Sequence, residues 1–185
     1  YEHTFITSSL EKYCEKPTKQ FFVEGVSPVI DGLYKDMIQA QQHLNHIRDR
    51  LGKIIEPGKT DIVKLKHDKN GFSLTITKKR ASTLKKRLQN MSGDILFKDS
   101  DGKVFHRVKN TEIQTKSINK QDDEVSLAYT GILSAKIETL RIRIYEHSME
   151  LYRKIVDGYY RKNRGLFESL VEFLGVADLN TCMAK

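Results

Sequence analysis

Apolar residues recur along the chain with two different periods. From Val29 to Glu56 they are separated alternately by four and three residues, which places them on one side of a helix. Pro28 suits the first helical position, and Pro57-Gly58 suits the end of the helix. We therefore predict a helix over about residues 29–56. Its apolar stripe consists of Leu33, Met37, Ala40, Leu44, Ile47, Leu51 and Ile54.

The helical period returns in the last third of the chain, with one polar break at Ser148. We expect Asp122, Asp123 and Glu124 to form the N-cap and first turn of this second helix, because the helix dipole favours acidic residues there. Gly158 and Gly165 predict a kink or a loop between them. The second stripe consists of Leu133, Ile137, Leu140, Ile144, Ser148, Leu151 and Ile155.

Between the two stripes the apolar period is two, which is typical of β-strands. Residues 62–77 predict a hairpin around Asn70-Gly71, and residues 95–108 predict a second hairpin around Asp101-Gly102. Residues 81–90 predict a short helix with Ser82 as N-cap. The pattern as a whole predicts an α+β fold, in which two long antiparallel, coiled-coil-like helices hold a small β-rich module at their tip.

The positive charge of the chain is concentrated in this central module. The net charge is +8, yet residues 61–120 hold 15 Lys and Arg against 6 Asp and Glu, while the other 125 residues hold 17 against 18. A localised excess of this kind attracts polyanions, although a solvated face of a lysine-rich protein would have a similar composition. Six of the cations fall within ten residues: Lys78, Lys79, Arg80, Lys85, Lys86 and Arg87.

These six cations are our first candidates for contacts to a nucleic-acid backbone. Lys109, Asn110, Lys116 and Lys120 form a second tier. Lys offers a mobile point charge and Arg a flat fork, and both suit phosphates. We recognise no fixed set of side chains of the kind that reads base edges, so we expect contacts that position the protein without specifying a sequence.

Other chemistries receive little support from the sequence. His43 and His46 lie three residues apart on a predicted helix, but we find no third metal ligand, and we expect no metal site. We find no paired carboxylates, catalytic triad or Cys/His pair, so we expect no enzyme activity. Phe72, Phe97 and Phe105 could stack on bases of a single strand, but strand aromatics more often fill the core of a small sheet. No apolar run approaches the length of a membrane span.

Four stretches resemble the lever and clamp region of MutS-type DNA mismatch-repair proteins. "EGVSPVIDGL" (24–33) resembles the entry to the outgoing lever, and "KLKHDKNGFSLTITKKR" (64–80) resembles the first hairpin of the clamp. "NTEIQTKSI" (110–118) is similar to the last clamp segment, and "ADLNTCMA" (177–184) to the place where the lever reaches the ATPase domain. The resemblance covers roughly residues 20–185, and the hairpin at 93–108 departs from it.

The resemblance implies an organisation and a function. It implies an outgoing lever over residues 1–58, a clamp module over 59–121 and a returning lever over 122–185. The implied function is sequence-independent binding of the duplex DNA backbone by the clamp, coupled mechanically through the lever, with a second MutS-like subunit as partner. The implied setting is inside a cell, with DNA, and without a membrane.

The resemblance also implies an ATPase domain, which would use ATP and Mg²⁺. The chain contains no GxxxxGK[ST] loop, so we expect this domain to lie outside the chain and expect no cofactor within it. The chain begins with Tyr1, and we expect it to be a piece of a longer protein. The alternative function is a coiled-coil interaction scaffold whose basic tip binds an acidic protein partner.

Overall fold

The structure, a computed structural model, describes residues 21–59, 61–68 and 71–183. The chain divides into two compact units, Tyr1–Ile144 and Tyr145–Lys185. The described elements, in chain order, are α1 (Pro28–Ile55), β1 (Lys64–Asp68), β2 (Gly71–Thr77), α2 (Lys78–Asn90), β3 (Ile95–Lys98), β4 (Val104–Val108), a short 3₁₀ helix (Asn110–Glu112), β5 (Gln114–Ser117), β6 (Asp122–Ser126) and α3 (Ala128–Met183).

Helix α1 begins and ends where its flanking residues favour it. Ser27 is the N-cap, its hydroxyl accepts a hydrogen bond from the backbone N–H of Ile30, and Pro28 occupies the first turn. At the other end, the backbone N–H of Glu56 donates to the carbonyl of Gly52 at 2.9 Å, before Pro57. The apolar stripe of α1 is buried, and the helix packs against α2, β3 and β1.

Four strands form an antiparallel sheet in the order β1–β2–β6–β5. The first predicted hairpin is confirmed by the pairing of β1 with β2, whose turn at residues 69–70 lies outside the described residues. The backbone N–H of Phe72 donates to Ser134 Oγ at 2.8 Å, which attaches β2 to α3. Gly71 has a positive φ of 101°, and a Cβ there would collide with the Ser134 hydroxyl, so this close approach requires glycine.

The second predicted hairpin is confirmed as a separate two-stranded sheet of β3 and β4. Asp99 shapes its turn, because its Oδ1 accepts hydrogen bonds from the backbone N–H groups of Asp101 and Lys103. Stacked rings attach the hairpin to the helices: Phe105 lies 4.0 Å from the ring of His43, and His106 lies 3.8 Å from that of Tyr129.

The core of the first unit lies between the helices and the two sheets. Leu44, Ile47 and Leu51 of α1 are completely inaccessible to solvent, as are Leu84 of α2 and Phe97 of β3. Ile137 of α3 is equally buried. Since the side chains come from elements throughout residues 44–137, the core joins the ends of this unit to its central module.

The structure is an α+β fold, but the predicted architecture of two long antiparallel levers with a module at their tip is wrong. Residues 21–59, 61–68 and 71–183 contain three α-helices, a four-stranded antiparallel sheet and a two-stranded sheet, with one long C-terminal helix, and do not consist of two long antiparallel lever helices. Helix α1 has 28 residues and α3 has 56. Helix α1 packs on α2, β3 and β1. An apolar stripe can be buried by any apolar surface, so its period does not select a partner helix.

Two local predictions are also wrong. Asp122, Asp123 and Glu124 lie in strand β6, and α3 begins only at Ala128. Ser82 is not an N-cap, since α2 begins at Lys78 and the Ser82 hydroxyl donates to the carbonyl of Lys78 within the helix.

The second unit is helical over residues 145–183. The predicted break between Gly158 and Gly165 is confirmed as a kink at Asn163, whose φ and ψ are −109° and 16°. Most of the large apolar side chains of this unit are exposed, among them Tyr145, Tyr152, Ile155, Val156, Tyr159, Tyr160, Leu166, Leu170, Val171, Phe173, Leu174, Val176, Leu179 and Met183.

Candidate nucleic-acid interface

Helix α2 carries the six first-tier cations, and its apolar residues fix which way they point. Ala81, Leu84 and Leu88 are its buried residues, at spacings of three and four. They face β2, β6 and α1, against which the helix packs. At the start of α2, the backbone N–H of Lys78 donates to the carbonyl of Gln121 at 3.0 Å, so the helix begins beside the β5–β6 turn.

The cations of α2 form three pairs, each with a spacing of seven residues. Seven residues are close to two helical turns, so the members of each pair lie on the same side of the helix, about 10 Å apart. Helical geometry places Lys79 and Lys86 opposite the buried residues. It places Lys78 and Lys85 on one flank, and the arginine pair on the other.

The arginine pair binds the chain's own backbone. Arg87 Nη1 donates to the carbonyl of Ile54 at 2.9 Å, in the last turn of α1. Arg80 Nη1 donates to the carbonyl of Ile62 at 3.4 Å, and its Nε lies 3.5 Å from Glu56 Oε1. Carbonyls at a helix end have no partner within the helix, and Arg87 supplies one. The two arginines therefore attach α2 to the end of α1.

The four lysines of α2 point away from the core. Lys78, Lys79, Lys85 and Lys86 are exposed, and no ion pair involves them within the part of the chain that the structure describes. We call these four residues the lysine face. The helix contains no acidic residue, and its first turn places cations at the positive end of the helix dipole. Each such cation is disfavoured by about 0.3–1 kcal/mol, and a bound anion would reverse this cost.

The second-tier residues lie near the two ends of α2. Lys120 precedes Gln121, which bonds to Lys78, and Asn119 Oδ1 orders this turn by accepting from the backbone N–H groups of Gln121 and Asp122. Lys120 therefore lies at the start of α2. Lys116 is exposed on β5 and lies opposite Glu124 in the pairing of β5 with β6.

Near the other end of α2, Asn110 has a structural contact. Its Nδ2 donates to the carbonyl of Met91 at 2.6 Å, just after the last residue of the helix. Lys109 precedes it and is exposed. Of this pair, only Lys109 presents a charge to solvent, while Asn110 joins the 3₁₀ helix to α2.

The aromatic residues of the module contact other rings of the protein. Phe97 is fully buried, Phe105 stacks on His43, and Phe72 lies 4.5 Å from the ring of His67. Rings already packed in this way do not form an open platform for bases, so the structure favours the core interpretation of these residues.

His43 and His46, where the sequence predicts no metal site, each lie against another side chain of the protein. His43 stacks on Phe105, and His46 Nε2 lies 3.4 Å from Ser100 Oγ. Burial, assisted by the neighbouring His46, lowers the pKa of His43 from its ordinary value of 6.5. Within residues 21–59, 61–68 and 71–183, no group of three or more His, Cys, Asp or Glu is arranged to hold a metal ion. The described helices include none that is both long and apolar enough to cross a membrane.

Two cations that sequence reasoning missed lie beside α2. Arg50 and Lys53 are exposed near the end of α1 and line a groove together with Arg87 and Asn90. They lie outside the charge-rich segment 61–120, in a helix that we had assigned to the lever. Their spacing of three residues, which places two cations on one side of a helix, was the signal that could have identified them.

Comparison of the chain with models of known protein families finds no match, and neither does comparison with curated proteins. Membership of the MutS family therefore stays a prediction from the four stretches quoted above.

Proposed function

We propose that this protein binds the sugar-phosphate backbone of duplex DNA through the lysine face of α2, without reading the base sequence. The single observation that supports this most strongly is the separation of roles within the helix: its two arginines donate to carbonyls of the chain, while its four lysines are exposed and the helix contains no acidic residue. Ammonium groups on long flexible side chains suit phosphates, whose positions vary little with sequence.

Sequence-independent binding is the behaviour expected of the ammonium groups of the lysine face. Arg is the side chain that most often recognises guanine, through a bidentate contact in the major groove. Both arginines of α2 donate to carbonyls of their own chain, Arg80 to Ile62 and Arg87 to Ile54. The lysine face itself therefore offers point charges rather than flat forks, and point charges do not distinguish one base pair from another.

We further propose that this binding serves a MutS-like mismatch-repair protein, as the sequence resemblance implies. In such a protein a bound module could act on α3, since β6 leads into α3 through the single buried residue Leu127. A second MutS-like subunit would supply a second module, and two linked modules bind far more tightly than one. A single chain should accordingly bind DNA weakly.

The test is fluorescence anisotropy of two labelled duplexes with unrelated sequences, titrated with the full chain across a salt series. If about four phosphates are engaged, the slope of log K against log salt should be about −3.6, with similar affinities for both duplexes. A strong preference for one sequence, or a slope near zero, would contradict the proposal.

The interaction scaffold predicts a different outcome in the same experiment. A tip that recognises an acidic protein should ignore duplex DNA, both as a single chain and as a fusion of two copies. A DNA-binding module should gain affinity from the fusion, because the second binding event becomes intramolecular. Absence of binding by the fusion at low salt would favour the scaffold.

A further inference from the structure

A groove of about 460 Å³ lies where the ends of α1 and α2 meet. Its lining contains three cations, one amide and no acidic side chain. The larger groove beside it is different, because its lining includes three acidic residues, Asp49, Asp94 and Asp99. We call the smaller groove the terminal groove, and its lining residues are Arg50, Lys53, Ile54, Arg87, Asn90 and Met91.

The hydrogen-bond donors of the terminal groove come from both helices. Arg50 and Lys53 are exposed on α1, three residues apart. Arg87 is held in place by its 2.9 Å bond to the Ile54 carbonyl, which uses one of the five N–H donors of its guanidinium. Asn90 adds an amide that can donate two further hydrogen bonds. A fixed guanidinium, two mobile cations and an amide together form a set of donors suited to an oxyanion.

The charge balance of the groove also favours an anion. The carboxyl end of a helix carries about half a negative charge, and two such ends meet here, so they offset about one of the three positive charges. Asp49 precedes Arg50 but forms an ion pair with Arg48 at 2.8 Å. The groove therefore keeps a net positive charge despite its position at two helix ends.

We propose that the terminal groove binds a phosphate group and that, in the DNA complex, this group is a phosphodiester of the backbone. The second part rests on the proposed function. Arg87 follows Lys86 directly in α2, so the groove opens next to the lysine face. A backbone that crosses the lysine face towards the end of α2 meets the groove as its next contact, and α1 as well as α2 then contributes to binding.

The DNA part is tested with the double variant Arg50→Gln/Lys53→Gln and a matched control, Lys35→Gln/Arg143→Gln, which removes two exposed charges elsewhere. The first variant should lose about 0.9 from the magnitude of the salt slope for each phosphate contact removed, and roughly tenfold in affinity at low salt. The control should keep the wild-type slope. If both variants bind DNA equally well, the inference is overturned while the proposed function stands.

The phosphate part is tested independently by titrating the full chain with inorganic phosphate, monitored by NMR. The Asn90 side-chain amide and the Nε–H groups of Arg50 and Arg87 should shift together and saturate, and Lys53→Gln should weaken the response. Equal shifts at Arg143, or shifts that do not saturate, would overturn the site. If the wild-type chain binds no duplex DNA, the proposed function fails, and this titration still decides whether the groove takes phosphate.

Discussion

The two sides of α2 carry the same kind of charge and do different things with it. On the side towards α1, Arg80 and Arg87 donate to backbone carbonyls and hold the helix in place. On the solvent side, four lysines make no ion pair within the described residues. The position of a cation relative to the buried residues, rather than its place in a basic run, therefore decides whether it also holds the helix in place.

The largest effect is expected from a change beneath the helix. Leu84 is fully buried, and Leu84→Ala should lower the free energy of unfolding by about 2–5 kcal/mol, through lost burial and a residual cavity. Urea denaturation measures this, with the exposed Ser82→Ala as control on the same helix. A stability loss no greater than that of the control would show that α2 is not packed as described.

Neutralising the lysine face should produce the opposite pattern. The variant with Gln at residues 78, 79, 85 and 86 should keep or slightly exceed the wild-type melting temperature, because it removes cations from the positive end of the helix dipole. It should lose about 100-fold or more in duplex affinity at low salt, because the phosphate contacts disappear. Anisotropy and thermal unfolding on the same samples separate the two properties. Retained affinity with a retained fold would place the DNA site elsewhere.

A single arginine on the inward side should affect stability more than binding. Arg80→Gln removes a bond to the Ile62 carbonyl and an ion pair with Glu56, and we expect a loss of about 1 kcal/mol in stability. Lys79→Gln, the adjacent outward change, should leave stability unaltered or raise it slightly, since it removes a first-turn cation, and should weaken DNA binding slightly. If these two variants behaved alike in both measurements, the difference described between the two sides of α2 would be contradicted.

The smallest expected effect is a pH dependence of stability at Glu56, which contacts Arg80 on the side of α2 that faces α1. A hydrogen bond from Lys59, supported by the charges of Lys59 and Arg80, lowers the pKa of the Glu56 carboxyl from its ordinary value of 4.5. Because the folded-state pKa lies below the unfolded one, the contribution to stability is complete above 4.5 and is lost as the pH falls through the folded-state pKa.

Glu56→Gln should remove this dependence. Below about pH 5, the stability of the wild type should fall more steeply than that of the variant, since only the wild-type side chain takes up a proton. Denaturation at a series of pH values measures both slopes. Parallel slopes would mean that the contacts of Glu56 with Lys59 and Arg80 do not stabilise the fold.

The sequence predicted the elements whose signals are local. The four-three period of α1 and the turn residues of both hairpins lie within the segments that they specify, and the pairing of β1 with β2 and of β3 with β4 followed from them. Strand β6 was missed because its stability comes from neighbours far away in sequence. Asp123 pairs with Ile76 of β2, and Glu124 pairs with Lys116 of β5.

The candidate site was predicted only in part, because some of its features also depend on contacts between residues far apart in the sequence. Composition located the basic helix, but the division of its cations depends on carbonyls of Ile54 and Ile62, which precede Arg87 and Arg80 by 33 and 18 residues. Arg50 and Lys53 join the site only because the end of α1 lies beside the end of α2. The helical period of α1 likewise could not reveal that the helix packs against α2, β3 and β1.

The most direct test of the central claim is to map which lysines duplex DNA covers. Reductive methylation of the full chain with and without a saturating duplex, followed by mass spectrometry, reports the accessibility of each ammonium group. We predict that Lys78, Lys79, Lys85 and Lys86 become several-fold less reactive in the complex, while Lys35 and Lys136, exposed on other helices, do not change. DNA binding that leaves these four lysines as reactive as before would contradict the account.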